Sequence, residues 1–336
     1  MPNGPDGDPV VWVDLPDDGC SLLLDLGDLQ RLPNRKLMRV DRVLVTHTHM
    51  DHFIGFDRLL RLAIRREREL TLTGPPGFLA QVGHRIQGYT WNLIGSYPVR
   101  LIVEEIDGET IRSALFTGAS RMRPEPLAGR PFHGTVHGQR AYTIEACTLD
   151  HGTPVLGVVL RETEHLAVNA DQLRRLGLEP GPWLSALKMA VRRRQTHGVS
   201  IEALASGGGI RDVDAEELAR EILRRTPGRT LGYFTDLAHT TRNVETVVEL
   251  ARGVDLMICE APFLHADAAL ARERHHLTAR QAGELARAAG ARALAPFHFS
   301  PRYHERSREL VSEAAEAFGG PVTVVPREPS GQPQVL

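Results

Sequence analysis

The stretch His47-Thr48-His49-Met50-Asp51-His52 packs three imidazoles and a carboxylate into six residues, directly behind the apolar run Val43-Leu44-Val45. Read as a strand, that run has a period of two. His47 and His49 then fall on one side, where their ring nitrogens can converge on one ion. The apolar and basic pattern from Phe53 to Arg66 predicts a helix. Asp51 and His52 therefore belong to a tight loop or to its first turn, facing a separate point. Two metal positions a few ångströms apart follow from this geometry. Imidazole and carboxylate donors suit zinc, and also manganese or iron, while the lack of a thiolate argues against a closed structural zinc site. A solvated turn at a strand end is the plainer reading of a polar cluster, but chance seldom assembles this pattern.

The composition sets the frame for such a site. A chain of 336 residues with 42% hydrophobic content can bury a substantial core in one large or two modest domains. Lys and Arg total 40 against 42 for Asp and Glu, so net charge neither recruits nor repels nucleic acid and any anion site is local. Cys20, Cys147 and Cys259 are odd in number and far apart, which fits small core residues in a reducing compartment. No apolar run approaches the roughly 20 residues that span a bilayer. The start of the chain has neither a basic segment nor an apolar stretch of the secretory kind, so no membrane association and a cytoplasmic location are expected.

Outward from the cluster, Val10 to Val13 and Ser21 to Leu24 predict a hairpin around Pro16-Asp17-Asp18-Gly19. Asp25 and Asp28 flank Gly27 and are expected to cap a turn, with an approach to the histidine cluster as the alternative. Leu70 to Thr73 reads as a strand closed by Gly74-Pro75-Pro76-Gly77, with a helix after it. Residues 89–149 are strand-like and broken by turns, clearest at Leu101-Ile102-Val103 and from Ala141 to Leu149. His151 follows a strand as His47 does, ahead of the buried run Val155 to Leu160, and is the best candidate for a third ligand of the first ion.

Residues 162–212 differ in character and read as an arm inserted into a single domain spanning 1–336. They contain Leu178-Glu179-Pro180-Gly181-Pro182-Trp183, the run Arg192, Arg193, Arg194 and the flexible Ser206-Gly207-Gly208-Gly209. The arginines are either a solvated face or phosphate contacts. Regular alternation then returns, with helices over 214–226, 241–252, 277–289 and 303–318. Strands are predicted at Leu231 to Thr235, Leu256 to Cys259, Ala293 to Ala295 and Val322 to Val325. Helices are then placed on the outer faces of a layered sheet. Asp236, Glu260 and His298 each fall at a strand end, where a sheet holds side chains at fixed spacing. The expected assignment gives His47, His49 and His151 to one ion and Asp51, His52 and His298 to the other. Asp236 bridges.

The order His47 to His52, His151, Asp236, His298 resembles the metallo-β-lactamase fold, an α/β four-layer αββα sandwich with a two-zinc edge. The C-terminal third narrows the likeness. Glu260-Ala261, His276-Leu277-Thr278 ahead of Gln281-Ala282, and His298-Phe299-Ser300-Pro301-Arg302-Tyr303 resemble ribonuclease Z, the endonuclease that trims precursor tRNA 3′ ends. Leu178 to Leu184 with Lys188 resembles that family's glycine-proline arm. The resemblance implies two Zn²⁺ ions, with Mn²⁺ or Fe²⁺ as alternatives, and leaving-group assistance by Glu260 with His276. It further implies tRNA contacts from Lys188 and Arg192 to Arg194, and a homodimer in which one subunit's arm serves the other's site. Asp51 could accept a proton as well as ligate. The sequence departs from the family at Thr235, Cys259, Pro262 and Leu277, and lacks its Gly-rich opening strand. A hydrolase of a small phosphodiester, cyclic nucleotide or ester, and a metal-holding sensor without turnover, are the competing expectations.

Overall fold

The computed structural model describes residues 1–15, 19–138 and 141–325. Pro16, Asp17 and Asp18 of the expected hairpin turn lie outside the described residues. The flanking strands β1 (Val11–Leu15) and β2 (Cys20–Leu24) pair antiparallel, as their alternation predicts. β3 (Val40–Leu44), β4 (Leu70–Gly74) and β5 (Arg100–Asp107) add in parallel, and β6 (Thr110–Thr117) and β7 (Glu125–Pro131) complete a seven-stranded sheet in sequence order. The parallel crossovers carry α1 (Asn34–Leu37), α2 (Met50–Phe53), α3 (Phe56–Ala63) and α4 (Phe78–Gln87). Strands added stepwise in one direction by right-handed crossovers put their helices on the same face. Leu23, Val43, Leu72 and Val103 accordingly pack on Phe56, Leu60, Phe78 and Val82.

The second sheet has six strands and faces the first. β8 (Thr135–Gly138), β9 (Tyr142–Asp150) and β10 (Pro154–Glu162) form an antiparallel half. The chain then leaves the sheet for β11 (Glu164–Val168), α5 (Ala170–Arg175), α6 (Trp183–Arg193), β12 (Ser200–Leu204), β13 (Ile210–Asp214), α7 (Ala215–Ile222) and β14 (Leu223–Pro227). It returns as β15 (Thr230–Phe234), α8 (Thr241–Leu250), β16 (Leu256–Glu260), α9 (Ala268–Glu273), α10 (Ala279–Ala288), β17 (Leu294–Phe297) and α11 (Ser307–Phe318). β15, β16 and β17 are parallel, and β15 joins β10 antiparallel.

Alternate residues of the strands serve different layers. Leu22, Leu24 and Leu44 meet Val158, Tyr233, Ile258 and Phe297 between the sheets. Phe234, Met257 and Cys259 face the other way, onto Val247, Leu285 and Leu310 of the outer helices. Helix, sheet, sheet and helix layers follow, the αββα sandwich expected from the sequence. A strand buried on both faces loses the polar half of its alternation, which is why these runs read as continuous apolar segments.

Three elements differ from the sequence expectation. The helix expected over 53–66 is broken after Phe53, because Gly55 donates its N–H to Leu26 O and presses against the backbone of Gly27. The helix expected over 214–226 stops at Ile222, and β14 instead pairs with β11, so the excursion closes on itself over 164–227 around Leu166, Trp183, Leu187 and Leu218. The expected strand from Val322 to Val325 reduces to one bridge between Val322 and Leu294. Cys20, Cys147 and Cys259 are free thiols, and no helix among the described residues is long and apolar enough to cross a membrane.

A Cβ at Gly55 would lie 2.3 Å from Gly27 O and 2.6 Å from Leu29 Cγ. The first is backbone and has no rotamer to turn away. Gly55→Ala should therefore cost about 1–3 kcal/mol, shift α2, and lower the melting temperature measured by calorimetry. An unchanged melting temperature would show that the junction yields freely.

Candidate metal centre

The strand ends of both sheets meet at one edge of the sandwich. β3 runs on through Val45 and Thr46 to His47, which is 2% exposed. His49 sits on the rim as the residue preceding α2, and Asp51 and His52 occupy that helix's first turn. β3 ends at Leu44, so His47 and His49 lie beyond its ladder rather than on its alternation, yet their rings converge, 4.4 Å apart between centroids. From the second sheet come His151 in the hairpin between β9 and β10, Asp236 after β15, Glu260 at the end of β16 and His298 after β17.

Asp236 is the centre of the arrangement. Its Oδ2 lies 3.6 Å from His47 Nε2, 3.5 Å from His52 Nε2 and 3.5 Å from His151 Nε2, and its Oδ1 lies 3.1 Å from His298 Nδ1. The donor atoms of His47, His49, His151 and Asp236 all fall within 4.8 Å of one another, as do those of Asp51, His52 and His298. A third convergence joins Asp236, Glu260, His276 and His298. In it, Glu260 Oε1 already accepts the N–H groups of Leu237 and Leu277, at 3.0 Å each, and Oε2 takes His276 Nδ1 at 2.7 Å. That carboxylate holds two loops and an imidazole rather than facing outward as a ligand.

The donor set fits divalent cations. His47 Nε2, His52 Nε2 and His298 Nδ1 are buried nitrogens without a hydrogen-bond partner, a costly condition that a cation relieves. The opposite ring nitrogens are held. His52 Nδ1 meets Asp25 Oδ2 at 2.9 Å, and His151 Nδ1 donates to the His275 carbonyl at 2.8 Å. Such contacts fix the tautomer that leaves Nε2 free to ligate.

Asp25, expected chiefly as a turn cap, is fully buried and belongs to the site. It accepts from Thr46 N at 2.7 Å and from Tyr233 Oη at 2.8 Å as well as from His52, so each of its bonds is to a group beside or behind the ligands. Asp28 does cap a turn, on Gln30 N. Tyr233 and Asn243 carry no sequence signal, one lying in an apolar strand and the other in a helix. Thr235 donates its hydroxyl to Asp236 Oδ1 at 2.7 Å.

The basic run is not brought to this edge. Arg192 bonds Glu162 Oε1 at 3.0 Å, and together with Arg193 it lines a cavity of about 650 Å³ with Arg42, Arg68, Thr71 and Tyr142. Thr71 lies near the start of β4 and Arg42 midway along β3, both away from the end that leads to His47. Glu162 is separated from the His151 hairpin by the length of β10, about 30 Å at the usual rise per residue. Lys188 lies one turn before Arg192 on α6, and Arg194 follows that helix in a left-handed conformation. The arm springs from the far end of the sheet, away from its own chain's histidine edge.

Charge at the site is strongly redistributed. Burial and the neighbouring His52 press His47 down to about 3, so it is a neutral imidazole. Burial opposes protonation of His298, but Asp236 and Asp51 outweigh it and raise this imidazole to about 10. His52 is likewise raised, by Asp236 and Asp25 against burial. Burial pushes Asp51 up, but His298 and His52 hold it below the usual carboxylate range. Since a ligating imidazole must be deprotonated, cation binding at pH 7 should expel protons from His298 and His52 and tighten as pH rises. Calorimetry in two buffers of different ionisation enthalpy should count one to two protons released on loading the whole centre, all from the group formed by Asp51, His52 and His298. A count of zero would place the cations elsewhere.

The beta-lactamase superfamily domain matches residues 150–299, the stretch carrying His151, Asp236, Glu260, His276 and His298. Among solved structures, a metallo-β-lactamase fold protein of Bacillus subtilis, YhfI, superposes with TM-score 0.54 at 14% identity, covering 96% of this chain and 93% of that one. The short form of human tRNase Z superposes with TM-score 0.52 at 16% identity, covering 90% of each. Those identities speak for the fold. Curated relatives go further: the ribonuclease Z of Deinococcus radiodurans is 34% identical over 94% of this chain and 93% of its own length. That of Thermobifida fusca is 31% identical over 91% of this chain and 84% of its own. With the two-sheet sandwich and its histidine edge in place, the chain belongs to the ribonuclease Z family, metal-dependent endoribonuclease hydrolases built on the metallo-β-lactamase fold.

Proposed function

We propose that this protein is a dinuclear zinc phosphodiester hydrolase that removes 3′ trailers from precursor tRNA in the cytoplasm. The observation that carries this reading is the Glu260–His276 pair, 2.7 Å apart, set beside two convergent ligand groups that share Asp236. His47, His49 and His151 would hold one ion, Asp51, His52 and His298 the other, with Asp236 between them. Zinc suits the imidazole and carboxylate donors, as manganese and iron also do. Bound cations would supply charge neutralisation for the phosphoryl oxygens and an activated water as nucleophile.

The chain's own residues supply the rest. His276 is raised above the ordinary imidazole value: burial opposes its charge, and Glu260 outweighs burial. Glu260 stays ionised, at about 2, because His276 beside it overcomes the effect of burial. An imidazolium held at Nδ1 by a carboxylate presents its other N–H, which can protonate the leaving alkoxide oxygen. Asp51, kept anionic, can accept the proton that the nucleophilic water loses.

The position of the basic run supports a homodimer in this reading. Arg192 to Arg194 and Lys188 stand too far from their own site, so they would grip the body of a tRNA whose 3′ end lies in the partner's site. The same separation favours the second reading, a hydrolase of small phosphodiesters that needs no arm. Metal-loaded protein should cleave both precursor tRNA and bis-p-nitrophenyl phosphate. Cleavage of the small ester alone would select the second reading, and cleavage of neither would leave a metal-holding sensor. Glu260→Ala and His276→Ala should lower turnover by about 10²–10⁴ with metal content intact. Near-wild-type rates in both would remove the pair from the mechanism. A monomeric mass by light scattering at assay concentration would count against the shared arm.

A further inference from the structure

The carbonyl of Asp150, the residue before His151, lies opposite Pro154 in the β9–β10 hairpin. Proline has no N–H to offer across that pair. The carbonyl accepts instead from Ala238 N at 2.8 Å and from Asn243 Nδ2 at 2.8 Å. Asn243 does more than fill that position. Its Oδ1 accepts from Asp150 N at 3.0 Å, and its Nδ2 donates also to Ala238 O at 2.8 Å. The side chain is 2% exposed and sits in the first turn of α8, where Thr240 Oγ1 takes its backbone N–H. One amide thus grips, by three bonds, the residue before His151 and the residue two after Asp236.

We propose that Asn243 is a positioning residue for the metal centre. It sets the separation between the hairpin that carries His151 and the loop that carries Asp236, and so the geometry of the His47, His49, His151 group. The two side chains meet at 3.5 Å, His151 Nε2 to Asp236 Oδ2, although they arrive from segments more than eighty positions apart in the chain. The direct bond from Ala238 N to Asp150 O gives one point of contact between those segments, about which the hairpin can still pivot. The amide adds a contact on each backbone polar group of Asp150 and removes the pivot. Asp236 is shared by both groups but is also contacted by His52 at 3.5 Å and His298 at 3.1 Å, so a hairpin released from Asn243 displaces His151 and the effect falls on the group that contains it.

This inference rests on the metal reading of the site and is independent of the substrate. Asn243→Asp keeps the shape and the acceptor but turns an oxygen toward two carbonyl oxygens. Asn243→Ala removes all three bonds. Full-length wild type and both variants are stripped of metal and titrated with Zn²⁺ against a chromophoric chelator, then loaded with Co²⁺ for visible absorption. Outer-shell partners of metal ligands typically matter by 10–100-fold in affinity. In both variants one of the two ions should weaken by about ten-fold or more while the other stays at wild-type affinity, with a changed cobalt band for the weakened ion. Leu285→Ala, a core truncation in α10 remote from the ligands, controls for lost stability and should leave both affinities unchanged. Equal affinities for both ions in wild type and the Asn243 variants would overturn the proposal, as would a parallel loss of both ions matched by Leu285→Ala. A wild type that takes up no Zn²⁺ would overturn the metal reading itself, and this inference with it.

Discussion

The structure depends on burying several imidazoles around one carboxylate. His47, His52 and His151 surround Asp236 Oδ2 at about the same distance, and all four side chains are within 8% of complete burial. Each buried nitrogen without a partner costs about 1–3 kcal/mol. Burial, and then the neighbouring His52, press His47 toward neutrality, while Asp236 and Asp51 outweigh burial and raise His298. Bound divalent cations would resolve both difficulties, since they would satisfy the lone pairs and match the carboxylates. The fold keeps such an arrangement because cores on either side of the sheets supply stability independently of it.

The sheets deliver these groups through a repeated device. Asp25, Asp236 and His298 each lie within two residues of a strand's end, and each has a left-handed backbone, with φ of 61°, 52° and 59°. Aspartate and histidine tolerate that region better than most residues, yet a non-glycine residue in it costs about 1 kcal/mol. The turn ends the ladder and swings the side chain out along the sheet edge. Asp25 then joins the halves: from the first sheet it holds His52 and Thr46, and from the second it receives Tyr233. The edge is therefore braced from both layers.

The opposite end of the sandwich serves another purpose. β10 and β15 lead past the sheet into a lobe with its own small core, where Arg192 is tied by an ion pair to Glu162 at the base from which the lobe grows. A lobe rooted there cannot reach the metals at the other end of the strands it continues.

Much of this was legible in the residues. The density of imidazole from His47 to His52 announced the site, and the recurrence of Asp236, Glu260 and His298 at strand ends gave its other members, because a strand's period and its termination are local properties. That helices cover the outer faces of the sheet followed from strands alternating with helices, and the αββα sandwich from the resemblance to the metallo-β-lactamase fold. Turn chemistry favoured the wrong role for Asp25, since a polar residue at a strand end looks the same whether it caps a turn or reaches a histidine 27 positions away. The helix expected through Leu223 failed because pairing with β11 outweighed local propensity. Tyr233 and Asn243 were silent because their partners are fixed only once the sheets face each other. The sequence by itself determined which side chains can bind metal and on which strands they travel, because residue chemistry and strand period are written locally. Which of them meet, which are held by others, and that the basic run lies at the far end were decided by tertiary packing, because those distances depend on the register of strands remote in the chain.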